Sequence, residues 1–375
     1  MATDSLLLRL QRTGGCAIGF DYLRLSLALS ICVLHCMIIC DGFQAVNAIF
    51  LSPARPLVRF ILPAFFALSG FLVAGSLERS QTLGMFLGLR ALRIYPALGV
   101  EVVLSAFGLG PFASSAPVES YFRNPLFFGY LRNILGDPHY YLPGVFTANP
   151  LPRIVNGQLW TIPFEMGCYI ALAGLTLLGL RRWRVLGPAS VVAVTLAYLA
   201  VTLTRHGGTL VPVPGAINGA LLIAAFLGGV SLYLYRDVVP YSAPLCGAAA
   251  LITVLCLGIC PGGDFFAPLP AAYVTVCIGL LNPSRRLLRG ADYSYGIFLY
   301  SFAIQQACYH FLPFARVPTG NLLVGLPTVL GFAALSWHCI ERPAQRLRAI
   351  LKRLEMAYLD WRARGTGVAI ADEGA

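Results

Sequence analysis

Arg24 and His35 are the residues of this sequence whose types and spacing first indicate chemistry. They are 11 positions apart, almost three turns of an α-helix, so both would lie on one helix face, about 16 Å apart along its axis. The surrounding segment, DYLRLSLALSICVLH, is otherwise largely apolar, and ionisable side chains in an apolar helix are costly unless they have a function. His35 is therefore a candidate general base. The alternative is structural, with Arg24 reaching to the water interface and His35 simply buried.

A histidine base is improved by a carboxylate that fixes its tautomer, and Glu165 is the first candidate for that partner. It occurs in LWTIPFE at the predicted outer end of an apolar segment, a depth similar to that predicted for His35. Glu101, nearer the middle of another apolar segment, is the second candidate. His310 and His338 lie near segment ends, where a structural role is favoured.

Arg90 and Arg93, in RALRIYP, form a second candidate site. Residues three positions apart share a helix face, and two guanidinium groups on one face can bind phosphate. The pair precedes an apolar segment, so it is predicted at the membrane surface where that span starts. The alternative is the ordinary positive charge that flanks a membrane span.

The elements that must position these residues are membrane helices. Of 375 residues, 58% are apolar and 11% are charged, and the mean hydropathy is +0.74. Soluble domains carry about a quarter charged residues, so this composition excludes a water-soluble enzyme, a coiled coil and a disordered chain. Successive charge-poor segments predict an all-α, polytopic membrane bundle of about ten transmembrane helices: 25–40, 60–77, 94–118, 159–180, 185–204, 207–235, 238–263, 265–284, 293–315 and 317–340.

The positions of Lys and Arg predict the orientation of these helices. With the N-terminus inside, 19 of the 27 Lys and Arg residues fall in cytoplasmic segments and 7 in outer ones, as the positive-inside rule requires. Both termini are therefore predicted to be cytoplasmic, in a multi-pass protein of the cell inner membrane. The net charge of +11 then reflects topology, and no nucleic-acid partner is expected because a basic soluble face is lacking.

Two longer stretches lie outside the predicted spans. Residues 119–158 are predicted to form an outer loop, of a length at which loops are usually functional or disordered. Residues 1–345 are predicted to form the transmembrane domain, and residues 346–375 a cytoplasmic amphipathic stretch and tail. The basic segment AQRLRAILKRLEMAYL would lie on the inner leaflet, although a simple flank of the last span would look the same. The chain start lacks the pattern of a cleaved signal peptide, so the first span is expected to stay as an anchor.

A metal site is not predicted. Cys32, Cys36 and Cys40 are spaced by four beside His35, but one helix face cannot complete a zinc site, and the sequence has no second cluster of Cys and His. Most of the 11 cysteines lie in apolar segments, where they act as small apolar side chains.

Six motifs occur in a fixed order along the chain: DYLRLSLALSICVLH, PAFFALSGFL, RALRIYP, LWTIPFE, SYGIFLYSFAIQQ and SWHCIERP. Each is weak alone, but together they resemble the integral-membrane acyltransferase-3 family, whose bacterial members O-acylate surface or exported glycans. The resemblance runs from Asp21 to Pro343, nearly the whole chain.

The resemblance implies a ten-helix core that uses acyl-CoA, usually acetyl-CoA, as a co-substrate, with no permanently bound cofactor. It implies roles for residues at matching positions: Arg24, His35 and Glu165 in catalysis; Arg90 and Arg93 in donor binding; and Ser69, Trp160, Ser294 and Tyr295 in substrate binding and oxyanion stabilisation. The chain departs from the family at two places. Ser301 stands where many members have a histidine, and Thr161 and Pro163 follow Trp160 where Ser and Leu are usual.

The sequence thus predicts a membrane O-acyltransferase that moves an acyl, typically acetyl, group from acyl-CoA to a glycan hydroxyl. Its expected partners are acyl-CoA, a glycan or lipid-linked saccharide, and membrane lipids. One alternative is a transporter or flippase of a lipid-linked sugar, because buried charges also mark transport pathways, although no inverted repeat is evident. Another is acylation of a small metabolite.

Overall fold

The computed structural model describes residues 4–15, 17–205, 217–283 and 290–366, which are mainly helical and contain no strands, only isolated β-bridges. The predicted all-α class is confirmed. The start of the predicted span 207–235, the arginines at 285–289 and the tail from 367 onward lie outside the described residues. The α-helices are α1 (Leu6–Arg12), α2 (Gly19–Asp41), α3 (Phe43–Leu51), α4 (Arg55–Arg79), α5 (Leu83–Val103), α6 (Gly110–Ala113), α7 (Val118–Arg123), α8 (Pro125–Leu131), α9 (Ile162–Leu177), α10 (Leu186–Arg205), α11 (Gly219–Leu234), α12 (Ala243–Gly258), α13 (Pro268–Gly279), α14 (Ser294–Phe311), α15 (Pro318–Ser336), α16 (Arg342–Arg346) and α17 (Arg348–Thr366).

Six helical stretches of the described chain are long and apolar enough to cross a membrane: Gly19–Asp41, Arg55–Arg79, Leu83–Ala113, Gly157–Leu177, Leu186–Thr204 and Pro318–Arg364. Three shorter apolar helices, α11, α12 and α13, pack among them. Pro63, Pro96 and Pro327 lie inside α4, α5 and α15, which membrane helices tolerate because neighbouring groups satisfy the freed backbone.

Contacts between the ends of described helices mark two distinct ends of the bundle. At one end, Arg181 on the chain after α9 donates to the carbonyls of Leu77 and Ser80, where α4 ends, and Arg236 after α11 pairs with Glu78. We call this the basic end. At the opposite end, a buried Arg59 of α4 pairs with Asp264, between α12 and α13.

Helices α4 and α11 pack closely against each other in the core. A Cβ at Gly70 would overlap the backbone of Phe226, and one at Gly229 would overlap the backbone of Ala67. Small residues at such crossings let two membrane helices approach closely. This packing explains the glycine of the LSGF motif and fixes its neighbour Ser69 on the side of α4 that faces the site.

The loop before α9 reaches from the opposite end deep into the bundle. Asn156 donates to the carbonyl of Leu299 at 3.0 Å, and Gln158 donates to the carbonyls of Phe298 and Leu299. These carbonyls lie in the second turn of α14, counted from the basic end, and both amide side chains are fully buried. Non-helical backbone at this depth is stable only where protein surrounds it. The loop therefore carries the start of α9 towards the basic end.

Helix α15 continues through a π-helical turn (Trp337–Glu341) and α16 into α17, which packs antiparallel along α5. Glu355 accepts hydrogen bonds from the backbone N–H and the hydroxyl of Thr82, both at 2.8 Å, and Leu351 contacts Gly88. The predicted amphipathic stretch is thus a helix held against the N-terminal part of α5.

Candidate functional site

A cavity of about 160 Å³ lies within the basic end of the bundle, and we call it the inner cavity. Helices α2, α4, α5, α9, α11 and α14 contribute to its wall. Its polar lining contains seven of the nine predicted site residues: Arg24, Ser69, Arg90, Arg93, Glu165, Ser294 and Tyr295. Phe65, Phe66, Phe226 and Phe298 make the rest of the wall largely apolar. Residues separated by up to 271 positions therefore meet in one small space.

Asp292, which the sequence reading did not single out, joins these elements. Its Oδ2 lies 2.6 Å from Arg24 Nη1 and 2.7 Å from Arg93 Nη2. The hydroxyl and backbone N–H of Ser294 donate to Oδ1, so Asp292 also satisfies a free N–H where α14 starts. Burial acts to raise the pKa of this carboxyl, but the two guanidiniums outweigh burial and hold the pKa below its ordinary value.

Arg93 is held by a second carboxylate as well. Its Nη1 lies 3.2 Å from Oε2 of Glu341, a buried residue whose other oxygen accepts from Ser336. The guanidinium also stands 5.1 Å from the ring centre of Tyr295, a favourable cation–π distance. Arg93 thus has a full set of partners and links α5 to the ends of α14 and α15.

Arg90 has a different environment. It donates to the Ser76 hydroxyl at 3.2 Å and lies 5.8 Å from the ring centre of Tyr169, and it has no ion pair among the described residues. Because α5 begins at Leu83, Arg90 and Arg93 lie seven and ten positions inside the helix. The helix thus begins well before the predicted span 94–118, and Thr82 caps it by accepting from the Met85 N–H.

Glu165 lies in the first turn of α9 and accepts a hydrogen bond from Tyr169. It shares the inner cavity with Arg24 and Ser294, so it lies near the basic end rather than at the outer depth predicted for it. The physical reason is the buried loop before α9, which hydropathy alone places at the surface. No hydrogen bond or ion pair joins Glu165 to His35, both of which are described, and the predicted pair is not formed.

His35 stands outside the inner cavity, on the side away from the basic end. Its ring packs edge-on against Phe302 at 5.2 Å, and Phe302 is one helical turn beyond the cavity-lining Phe298. His35 Nδ1 is buried and has no hydrogen-bond partner in the described chain. Buried polar groups normally have partners, so this nitrogen is available to a group that the protein does not supply.

Glu101, the second candidate partner, does not contact His35 either. It is buried, and its Oε1 accepts from Ser105 at 2.7 Å and from Asn156 at 2.6 Å. Oε2 has no partner among the described residues. Glu101 borders a separate, mainly apolar cavity of about 480 Å³ between α5 and the α14–α15 pair.

Trp160 is the other predicted residue that does not line the inner cavity. It lies in a short 3₁₀ helix before α9 and packs edge-on against Phe164. Tyr295 lines the cavity with its ring, while its hydroxyl donates to the Ile94 carbonyl at 3.1 Å. Ser294 donates to Asp292. Ser69 faces the cavity beside Tyr169.

The family of the chain follows from comparison with known proteins. The sequence profile of the family described as acyltransferase domain matches residues 18–340. The chain belongs to the acyltransferase-3 family. It is 26% identical to the "O-acetyl transferase" of Shigella phage Sf6 over 285 residues, which covers 74% of this chain and 82% of the phage protein. It is 27% identical to "Nodulation protein 10" of Rhizobium leguminosarum bv. viciae over 376 residues, covering 90% and 96%. No solved structure matches the chain.

The protein is therefore a membrane O-acyltransferase, and the inner cavity is its candidate active site. Sequence reasoning missed Asp292 and Glu341, although Asp292 lies beside a quoted motif and Glu341 lies within one. Asp292 stands two positions before Ser294, the spacing of a residue that caps a helix start, and Glu341 is the acid of SWHCIERP. The spacing of Asp292 and the motif position of Glu341 are the sequence features that could have identified these two residues.

A second, larger cavity adjoins the inner cavity at the basic end of this acyltransferase. It measures about 860 Å³ and shares Arg24, Leu72 and Arg90 with the inner cavity. We call it the basic cavity, because its remaining ionisable lining residues are mostly cationic: Arg79, Arg348 and Lys352, against Asp21 and Glu355. The large basic cavity and the small, largely apolar inner cavity therefore adjoin each other.

Proposed function

We propose that this acyltransferase transfers an acetyl or other short acyl group from acyl-CoA to a hydroxyl of a cell-surface or exported glycan. The observation that carries the proposal is the inner cavity, where residues of five motifs meet beside a larger basic cavity. The acetyl group is suggested by the printed name of the phage relative. The glycan acceptor is suggested by the resemblance described above.

In this proposal the donor enters from the cytoplasm at the basic end. The phosphates of acyl-CoA bind in the basic cavity, and its thioester arm extends past Arg24 and Arg90 into the inner cavity. Cations without carboxylate partners bind phosphate best, because they do not have to give up an ion pair first. Arg90 fits this role, whereas Arg93 is already held by Asp292 and Glu341.

The acceptor approaches from the opposite end and meets the thioester near His35. Its hydroxyl oxygen attacks the thioester carbonyl carbon while His35 takes the hydroxyl proton. The carbon–sulfur bond then breaks, and the CoA thiolate leaves and takes up that proton from His35. Ser69 is the proposed oxyanion donor, because the hydroxyls of Ser294 and Tyr295, which also line the cavity, donate to Asp292 and to the Ile94 carbonyl. The unpartnered Nδ1 of His35 supports this role, and a base of this kind contributes about 10²–10⁴ in rate.

The decisive experiment uses the purified full-length protein in lipid nanodiscs with acetyl-CoA and glycan. We expect CoA release that depends on glycan, with acetyl ester appearing on the glycan. Glycan that crosses liposomes without acetyl-CoA consumption would favour the transporter. Release that depends on a small hydroxyl compound but not on glycan would favour the metabolite alternative.

We expect Arg90→Ala to raise the KM for acetyl-CoA about 10- to 100-fold with normal membrane abundance. One charge-assisted contact to phosphate contributes about 1.5–3 kcal/mol. Ser76→Ala is the matched control, because it removes the neutral partner of Arg90 and should leave the KM nearly unchanged. An unchanged KM in Arg90→Ala would return this residue to ordinary positive-inside charge.

The proposed topology is ten spans with both termini in the cytoplasm of the inner membrane. Helix α14 and the three shorter apolar helices bring the six long spans to that number. A reporter fused after Arg184 should be cytoplasmic, and one inserted in residues 119–158 should be external. A cytoplasmic loop reporter would contradict donor and acceptor access from opposite sides.

A further inference from the structure

One wall of the basic cavity is formed by the C-terminal helix α17, through Arg348, Ala349, Lys352, Glu355 and Met356. Arg348 and Lys352 are four positions apart and therefore share one helix face. The family profile ends at residue 340, so this wall lies beyond the matched region. The cavity is thus completed by a helix that the motifs do not include.

Fixed contacts on α5 set which face of α17 borders the cavity. Glu355 accepts two hydrogen bonds from Thr82, and Leu351 packs on Gly88. Leu347, Ile350, Leu354 and Trp361 remain exposed, at the spacing of a single apolar stripe. Arg348 and Lys352 lie on a different face of α17, which lines the cavity beside α5.

The charges of this cavity are not balanced by the protein. Arg79, Arg90, Arg348 and Lys352 have no ion pair in the described part of the chain, and Glu355 is engaged by Thr82. Arg348 is also near enough to Arg90 and Arg93 to be repelled by their charges. Cations gathered around a concave surface attract an anion that neutralises them.

We propose that Arg348 and Lys352 of α17 bind the phosphate groups at the nucleotide end of acyl-CoA and hold the donor in the basic cavity. This inference rests on the proposed function. The cavity sizes agree with it, because about 860 Å³ is within the range of pockets that hold cofactor-sized ligands, while the inner cavity of about 160 Å³ suits only the thioester end.

The test compares two double variants of the full-length protein in nanodiscs of zwitterionic lipid. Arg348→Ala with Lys352→Ala should raise the Kd for CoA and the KM for acetyl-CoA by on the order of 10²-fold, for two charge-assisted contacts, with kcat nearly unchanged. Arg346→Ala with Arg353→Ala removes the same charge from neighbouring positions that do not line the cavity, and should bind CoA normally. Arg348→Lys should retain most binding, because the charge stays.

The outcomes separate this inference from the proposed function. Wild-type protein that neither binds CoA nor releases it from acetyl-CoA would overturn the proposed function. Wild-type binding with an unchanged Arg348/Lys352 variant would overturn only the role of α17. An equal loss in both double variants, or a loss seen only when the nanodiscs contain anionic lipid, would also overturn it, because general surface charge or a lipid headgroup would then be the cause. A thermal unfolding scan checks that each variant is folded.

Discussion

Replacing His35 with glutamine is expected to lower the rate of acyl transfer by about 10²–10⁴-fold, the usual contribution of a general base. Glutamine has a similar volume and can form hydrogen bonds, so it preserves packing against Phe302 but cannot take a proton from a hydroxyl. The measurement is initial-rate acetylation of glycan by purified protein, together with the Kd for CoA. Because His35 lies outside the inner cavity, CoA binding should be unchanged.

A His35→Gln variant with near-normal activity would remove His35 from the mechanism and leave the family assignment intact. A variant that loses CoA binding as well would show that the histidine supports the fold rather than the proton transfer. His35→Ala is a weaker test, because it also leaves a void beside Phe302. The separate readout of binding is what distinguishes a base from a buried structural histidine.

Glu165→Gln provides a second comparison, since Glu165 does not contact His35. If Glu165 assisted His35, the double variant would lose little more activity than His35→Gln alone. Because Glu165 and His35 are not in contact, we expect instead that the losses of transition-state stabilisation from the two substitutions add. Glu165 accepts a hydrogen bond from Tyr169 in the inner cavity, so its own effect should appear in the KM for acetyl-CoA.

The gathering of Arg24, Arg90, Arg93 and Ser294 could be predicted because each lies at the predicted cytoplasmic end of its apolar segment. Alternating helix direction, together with positive charge at one side, places those helix ends together. The order of motifs then identifies which residues meet. The all-helical class is encoded locally in hydropathy. The end of the bundle at which these residues meet is encoded in the positions of the positive charges.

The depth of Glu165 and the role of Asp292 could not be read in this way. Glu165 is carried inward by a loop whose Asn156 and Gln158 find backbone partners on α14, a tertiary contact that hydropathy does not encode. Asp292 pairs with residues 199 and 268 positions away. A single aspartate in a short connection resembles an ordinary surface charge until its partners are known.

Replacing Asp292 with asparagine is expected to destabilise the protein by about 3 kcal/mol, because it leaves the guanidiniums of Arg24 and Arg93 without their shared counter-ion. The carboxylate is only 19% exposed, so water compensates little for its loss. The measurement is thermal unfolding in detergent. Asp237→Asn is the matched control, because the exposed pair of Asp237 with Arg184 should contribute nothing measurable.

The pH dependence of the Asp292 effect distinguishes a lost ion pair from lost packing. Since the native pKa of Asp292 is lowered, its stabilisation is fully present above the pKa of an unfolded aspartate, about 4, and is lost as the pH falls towards the native pKa. The difference between wild type and Asp292→Asn should therefore be constant from pH 8 to pH 6 and shrink only in acid. A difference that persists unchanged in strong acid would mean that Asp292 acts through the Ser294 hydrogen bonds at the start of α14 rather than through the two arginines.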